Sequence, residues 1–261
     1  FKKRQDGTFE KVEVRKRPGT VGICAAIMNH YKVDAVPHLI CGGFTSEETE
    51  NALIDLNFLG IDNVLVLRGD APKNETFFIA EPSGHRYALE LLNQVVNMNR
   101  GIYLEDDLIN GEKTNFCIGV AGYPEKHFEA PNLEADLSYL KMKVEQGAEY
   151  ITTQMFFDNS KYIDFVKRCR EIGIQVPIIP GLKPITTKRQ LTVLPHIFHI
   201  DIPSDLSKAV LACQTDEQVQ QVGKEWRVTQ CKELKEIHAP ALHFYTLGKT
   251  SVIREVVEQL V

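Results

Sequence analysis

From residue 20 onward, short runs of apolar and β-branched positions alternate with longer stretches whose apolar residues recur at helical spacing. That alternation is the pattern of βα units around a parallel sheet. Six runs read as strands: 34–41, 63–68, 116–122, 150–157, 176–180 and 241–247. Their near-continuous hydrophobicity suits strands covered on both faces. The intervening segments carry helix signals. Thr45 and Glu48 form a capping box that opens a helix to about Leu59, where Gly60 stops it. Leu133, Leu137, Leu140 and Val144 make the apolar stripe of another, ended by Gly147. Residues 20–31 read as a helix ahead of the first strand, and 205–237 as one long helical stretch before the last. Residues 101–114, with Glu105, Asp106 and Asp107, read as a solvated loop on the face away from the chemistry.

Six such strands suit an open doubly wound sheet, whereas a (βα)8 barrel needs eight and roughly 250 residues. A helix at 20–31 normally follows a strand, and the charged residues 1–19 read as an exposed loop or hairpin rather than a buried strand. The expectation is therefore an α/β fold, a (βα)8 TIM barrel with six of its eight βα units visible and the first two strands missing. On that reading residues 20–261 form one catalytic barrel domain, and the natural product is longer by on the order of 50–60 residues.

Composition narrows the partners. The 261 residues are 43% hydrophobic and 25% charged with a net charge of −5, which removes the basic footprint of a nucleic-acid binder. No apolar run approaches the roughly 20 residues needed to span a bilayer. Cys24, Cys41, Cys117, Cys169, Cys213 and Cys231 are scattered without a CxxC pair, the usage of reduced thiols in a cytoplasmic protein. No GxGxxG, P-loop or nucleophile elbow is present, and His196 with His199 lacks a third ligand, so no metal site is expected.

In a parallel barrel the chemistry gathers where strands end. Here those positions are polar: His38; Arg68, Gly69 and Asp70; Tyr123, Glu125 and His127; Gln154; Lys183; His243 and Tyr245. Taken singly, each has a plainer reading. Arg68 and Asp70 could close a loop, His38 could be a satisfied core histidine, and Gln154 could bond neighbouring backbone. Tyr123 and His127 could begin a capped helix. Asp136 and Lys143, seven residues apart on one helix face, could be a solvated charge pair.

The combination is more specific. The segments PHLIC, LVLRGDAP, AGYPEKH, EADLSYLKMKVEQGAEYITTQMFFD, IIPGLKPI and LHFYTLG stand in this order, and with them the chain resembles methylenetetrahydrofolate reductase of the single-domain bacterial type. The resemblance implies FAD across the C-terminal strand ends, bound by His38, Arg68, Gly69, Asp70, Tyr87, Ala88, Tyr123, His127, Asp136 and Lys143. It implies NADH or NADPH as hydride donor and methylenetetrahydrofolate as substrate, with Asp70 and Gln154 as catalytic residues and Asp70, Gln154, Gln190 and Lys249 as substrate contacts. It further implies a cytoplasmic homo-oligomer that supplies methyl groups for methionine synthesis. Three positions depart from the common pattern. Lys249 replaces an Arg and cannot form its bidentate contact to the glutamate tail. Leu194 stands where an aromatic often packs on ligand, and Met142 replaces a basic residue. The family's proton-donating Glu lies in its first barrel strand and has no counterpart here, so an inactive ligand-binding fragment is one alternative and another barrel flavoenzyme is the second.

Overall fold

The computed structural model describes residues 2–3, 9–10, 18–71, 77–105, 107–108, 111–248 and 250–260. Lys2–Lys3 (β1) and Phe9–Glu10 (β2) pair antiparallel. The main sheet has six parallel strands in sequential order: His38–Ile40 (β3), Asn63–Leu67 (β4), Cys117–Gly122 (β5), Tyr150–Met155 (β6), Ile178–Leu182 (β7) and His243–Phe244 (β8). Every strand expected from the apolar runs is therefore present, and all are joined by helical crossovers. The outer two are shorter than the runs suggested. β3 and β8 each have a paired neighbour on one side only, and outer strands are commonly short.

The sheet is strongly curved. Five spacings of a flat sheet would put β3 and β8 on the order of 24 Å apart, yet the rings of His38 and His243, one on each, are 6.5 Å apart. Sequential parallel order with that curl is the barrel architecture.

The helices form where the sequence signals placed them. Thr20–Tyr31 (α1) precedes β3, and Ser46–Phe58 (α2) opens with the full capping box: Glu48 N–H donates to Thr45 Oγ1 at 3.1 Å and Thr45 N–H to Glu48 Oε2 at 2.8 Å. Gly60, at φ +70, turns the chain out of it. Ala88–Asn99 (α3) and Leu133–Gln146 (α4) follow β4 and β5, and Asn159–Glu171 (α5) follows β6. Asn132 caps α4 by accepting from Ala135 N–H at 2.8 Å.

Two helical expectations change. The single stretch expected over 205–237 is two helices, Ser204–Ala212 (α7) and Asp216–Glu236 (α8). The break comes because Thr215 takes an extended backbone and accepts from Gln218 N–H at 3.4 Å, starting a new helix. Ahead of them lies Gln190–Phe198 (α6), which the sequence pattern did not announce because Pro195 sits inside it. Ser251–Glu258 (α9) closes the chain. Of the described residues in the 101–114 segment, Glu105 and Asp107 are exposed as expected, while Thr114 at its end is buried and Leu104 N–H donates to Glu50 Oε2 of α2 at 2.8 Å.

The main core lies between the sheet and α2, α3, α4, α5 and α8. A second, smaller core of Met155, Phe157, Ile185, Leu194, Leu206, Val210 and Val219 joins the ends of β6 and β7 to α6, α7 and α8. Arg227 is wholly buried beside it. Its guanidinium donates to the carbonyls of Phe156 and Lys183 and to Gln230 Oε1, and lies 5.0 Å from the centre of the Phe157 ring. Among the described residues this cation is thus held by backbone carbonyls just beyond two strand ends and by the Gln230 amide oxygen, with no carboxylate bonded to it.

Candidate functional site at the strand ends

The polar residues singled out in the sequence lie where the parallel strands finish. Arg68 is the first residue past β4, followed by Gly69 at φ +86, a conformation that a side chain would strain. Asp70 is next and exposed. Arg68 Nη1 pairs with Glu129 Oε2 at 2.5 Å, and its guanidinium lies 5.3 Å from the Phe78 ring. The Arg68 bond holds the Glu129 carboxyl below its ordinary range. Glu129 and Phe78 had no signal in the sequence, because each meets Arg68 only through the fold.

Beyond β5, Tyr123 and His127 form an edge-to-face pair with centroids 4.7 Å apart. The His127 ring lies 4.8 Å from Phe128, which stacks on His199 at 4.7 Å. Asp136, in the first turn of α4, accepts from His127 N–H at 2.9 Å, so the carboxylate fixes the turn that carries the rings. Lys143 lies two turns further along α4. Burial lowers the Lys143 ammonium's pKa, the Asp136 carboxylate opposes that, and the Arg68 cation adds to it. Burial pushes the Tyr123 phenol up, helped by the Asp136, Tyr245 and Asp70 charges and opposed by Arg68. Burial also lowers the His127 imidazole, against the pull of Asp136 and Glu129. Arg68, Asp70, Tyr123, His127, Asp136 and Lys143 therefore share one electrostatic neighbourhood.

Gln154 owes its position to an irregularity in β6. The β6–β7 register shifts between Thr152 and Met155, and such a bulge re-aims side chains. Gln154 Oε1 accepts from Met155 N–H at 2.9 Å, so the backbone-bonding reading of this residue is correct for its oxygen. The adjoining Thr153 is fully buried. Its carbonyl accepts from Tyr245 Oη at 2.9 Å, and its Oγ1 accepts from Gly181 N–H at 2.9 Å. A Cβ on Gly181 would fall 2.1 Å from that carbonyl, so only glycine fits there.

The remaining candidates lie on other elements. His38 lies on β3 against His243, whose pKa is lowered by burial and by the His38 charge. Tyr87 precedes α3 and is exposed; Ala88 is the first residue of that helix. Gln190 starts α6, with Oε1 accepting from Thr186 N–H at 2.6 Å and Thr187 N–H at 3.3 Å. It lines a cavity of about 210 Å³ between the loops after β7 and β8. Leu194 is buried in the second core, and Met142 is exposed. Lys249 lies outside the described residues.

Chemically, the cluster offers two cations, Arg68 and Lys143, a glycine that exposes backbone, and two rings. That donor set fits a dinucleotide with a diphosphate and flat ring systems, and so fits FAD. Among the described residues, no group of three or more His, Cys, Asp or Glu side chains could hold a metal ion, and no helix is long and apolar enough to cross a membrane.

Comparison with known proteins bears on this site. The family described as methylenetetrahydrofolate reductase matches residues 8–261. Methylenetetrahydrofolate reductase 1 of Schizosaccharomyces pombe is 32% identical over 242 residues, 92% of this chain and 38% of the relative. The Arabidopsis thaliana enzyme named methylenetetrahydrofolate reductase (NADH) 1 is 34% identical, covering 88% of this chain and 38% of its own. The chain thus spans under two fifths of these relatives. The 5,10-methylenetetrahydrofolate reductase of Salmonella typhimurium is 31% identical over 91% of this chain and 73% of that one. Among solved structures, a Clostridium thermocellum protein described as binding 5-methyl-5,6,7,8-tetrahydrofolic acid superposes with a TM-score of 0.54 at 16% identity, over 90% of this chain and 76% of its own. That likeness supports the barrel-type fold. With the family matched from residue 8 to the end of the chain and its strand-end motifs gathered on one face, the chain belongs to the methylenetetrahydrofolate reductase family.

Proposed function

We propose that this protein reduces 5,10-methylenetetrahydrofolate to 5-methyltetrahydrofolate, with FAD bound across the strand ends and NADH or NADPH as the source of hydride. The observation that carries the proposal is the convergence of Arg68, Asp70, Tyr123, His127, Asp136 and Lys143 beyond β4 and β5 in a chain of this family. FAD held by these residues would supply the hydride-transfer chemistry between nicotinamide and folate.

The chain's own groups have distinct parts in this reading. Arg68 and Lys143 hold the diphosphate, and Gly69 lets the ligand approach the backbone. Asp136 fixes the His127 turn, so His127 and Tyr123 present fixed faces to the cofactor. Asp70, exposed at the mouth, orients the pterin and opposes excess negative charge nearby, acting electrostatically rather than as a proton donor. Gln154 has its oxygen engaged by backbone, which leaves its amide N–H groups for the folate and the nicotinamide in turn. Gln190 and Lys249 complete the substrate contacts, and His38, Tyr87 and Ala88 the cofactor contacts. The protein works in this reading as a cytoplasmic homo-oligomer supplying methyl groups for methionine synthesis. The visible spectrum of purified protein, identification of any released flavin, and anaerobic reduction by NADH or NADPH followed by methylenetetrahydrofolate test the proposal. Absence of FAD, or a reduced flavin that methylenetetrahydrofolate does not reoxidise, would refute it.

A further inference from the structure

Glu129 bonds to two of the residues assigned to the cofactor, Arg68 and His127, from the turn between β5 and α4. Its carboxylate accepts from Arg68 Nη1 at 2.5 Å, joining residues 61 positions apart in the chain. Its backbone N–H donates to His127 Nδ1 at 3.3 Å. A backbone N–H can only donate, so Nδ1 is the acceptor and the neutral His127 ring carries its proton on Nε2.

Most exposed ion pairs contribute little, because two long side chains must be ordered to meet. Here both partners are held in place. Ala130 N–H donates to His127 O at 3.0 Å, and the Lys126 ammonium donates to His127 O at 3.1 Å and to Ala130 O at 2.6 Å, which fixes the turn that carries Glu129. The Arg68 side chain is 19% exposed, with its guanidinium beside the Phe78 ring. Among the described residues, the bond to Glu129 is the only hydrogen bond that guanidinium makes, so Nη2 and Nε remain as donors.

The charges favour the same arrangement. The Arg68 cation disfavours the charge on Lys143, and each of the two has a carboxylate near it, Glu129 for Arg68 and Asp136 for Lys143. A carboxylate so placed also repels an incoming diphosphate. The Glu129 side chain is 36% exposed, so water and salt screen that repulsion, whereas nothing screens the cost of ordering a free Arg side chain. Ordering is therefore the larger effect.

We infer that Glu129 is a positioning residue of the cofactor site, which holds Arg68 by Nη1 and keeps the remaining guanidinium donors set for the FAD diphosphate. The inference rests on the proposed function for the identity of the cofactor.

The test is titration of the flavin-free full chain with FAD, followed by flavin fluorescence, for wild type, Glu129→Ala and Glu129→Gln. The two Glu129 variants are also made in an Arg68→Met background. An Arg side chain left to order on binding corresponds to about 5- to 30-fold in affinity. Glu129→Ala is expected to weaken FAD by that factor, and Glu129→Gln, which keeps an acceptor for Nη1, to recover part of the loss. With Arg68→Met present, Glu129→Ala should change FAD affinity by less than about twofold, because residues that act through one another are coupled. A purely structural role would lower affinity equally in both backgrounds, and that result overturns the inference. Affinity of Glu129→Ala equal to or tighter than wild type overturns it too, with the proposed function intact. A wild type that takes up no FAD overturns both. If Arg68→Met holds no FAD, Arg68→Lys supplies the second background, and if Glu129→Ala does not fold, Glu129→Ser makes the same comparison.

Discussion

Gly223→Ala sets two physical expectations against each other. In an isolated helix the substitution stabilises by about 1 kcal/mol, because glycine has more backbone freedom to lose. In this structure Gly223 lies in α8 with its backbone against the 183–187 segment. A Cβ there would stand 1.9 Å from Ile185 O, 2.9 Å from Ile185 C and 3.1 Å from Ile185 N. Ordinary contact begins at 3.4 Å, so helix and segment must separate by about 1.5 Å. All three contacts are backbone, so no rotamer change relieves them. Overpacking of this kind costs about 1–3 kcal/mol and often more, which exceeds the propensity gain. A net loss of about 2 kcal/mol corresponds to a fall in Tm of roughly 4–8 °C at this chain length. The displaced segment carries Lys183 and the turn that holds Gln190, and misplacement by about 1 Å can cost on the order of 10²-fold in catalysis. Differential scanning calorimetry and steady-state kinetics with methylenetetrahydrofolate check both effects. A Gly223→Ala protein with raised Tm and unchanged kcat/KM would refute the reasoning, since it would show that helix propensity alone governs the position.

Other substitutions test individual groups. Asp70→Asn is expected to retain FAD and to slow folate reduction more than flavin reduction in stopped-flow measurements of the two half-reactions; equal slowing of both speaks against an electrostatic role toward the pterin. Gln154→Glu should lower folate affinity and turnover together at unchanged flavin content, and unaffected methylenetetrahydrofolate kinetics would return Gln154 to a purely structural role. Glu125 accepts from Asp201 N–H at 3.0 Å, with Asp158 and Lys161 nearby, and burial pushes its carboxyl up to about 7. The folded state therefore holds that proton more tightly than the unfolded chain, so Glu125 lowers stability as pH rises from its ordinary value of 4.5 through about 7. Glu125→Gln should melt higher than wild type at pH 8 and close to it at pH 4; a difference in Tm that does not vary with pH would contradict this.

The βα alternation was readable because strands covered on both faces need unbroken apolar runs, and the capping box at Thr45 and Glu48 marked a helix start to the residue. The limits of β3 and β8 were not readable, because an outer strand's length is set by pairing rather than by its own hydrophobicity. The break between α7 and α8 had a signal in Thr215 and Gln218, a cap residue with Gln three positions on, but the helical run of polar and apolar residues on both sides masked it. At the site, Arg68, Asp70, Tyr123, His127, Asp136 and Lys143 could be named, since each stands at a strand end or on the helix that follows. Glu129 and Phe78 could not, as their contact with Arg68 depends on how the loops fold over the mouth. Lys183 was visible as a residue, but its burial depends on α8 and the loop after β8 packing around it.

The bonds that Thr153 accepts from Tyr245 Oη and Gly181 N–H join the ends of β6, β7 and β8. β8 is only two residues long, so its hold on the sheet depends heavily on such side-chain ties. Groups that share a partner are energetically coupled, and their substitutions do not add. Substitutions at the strand ends that carry Gln154, Lys183 and His243 are therefore expected to be coupled rather than additive. A ligand that tightens any one of these three strand ends lends rigidity to the other two.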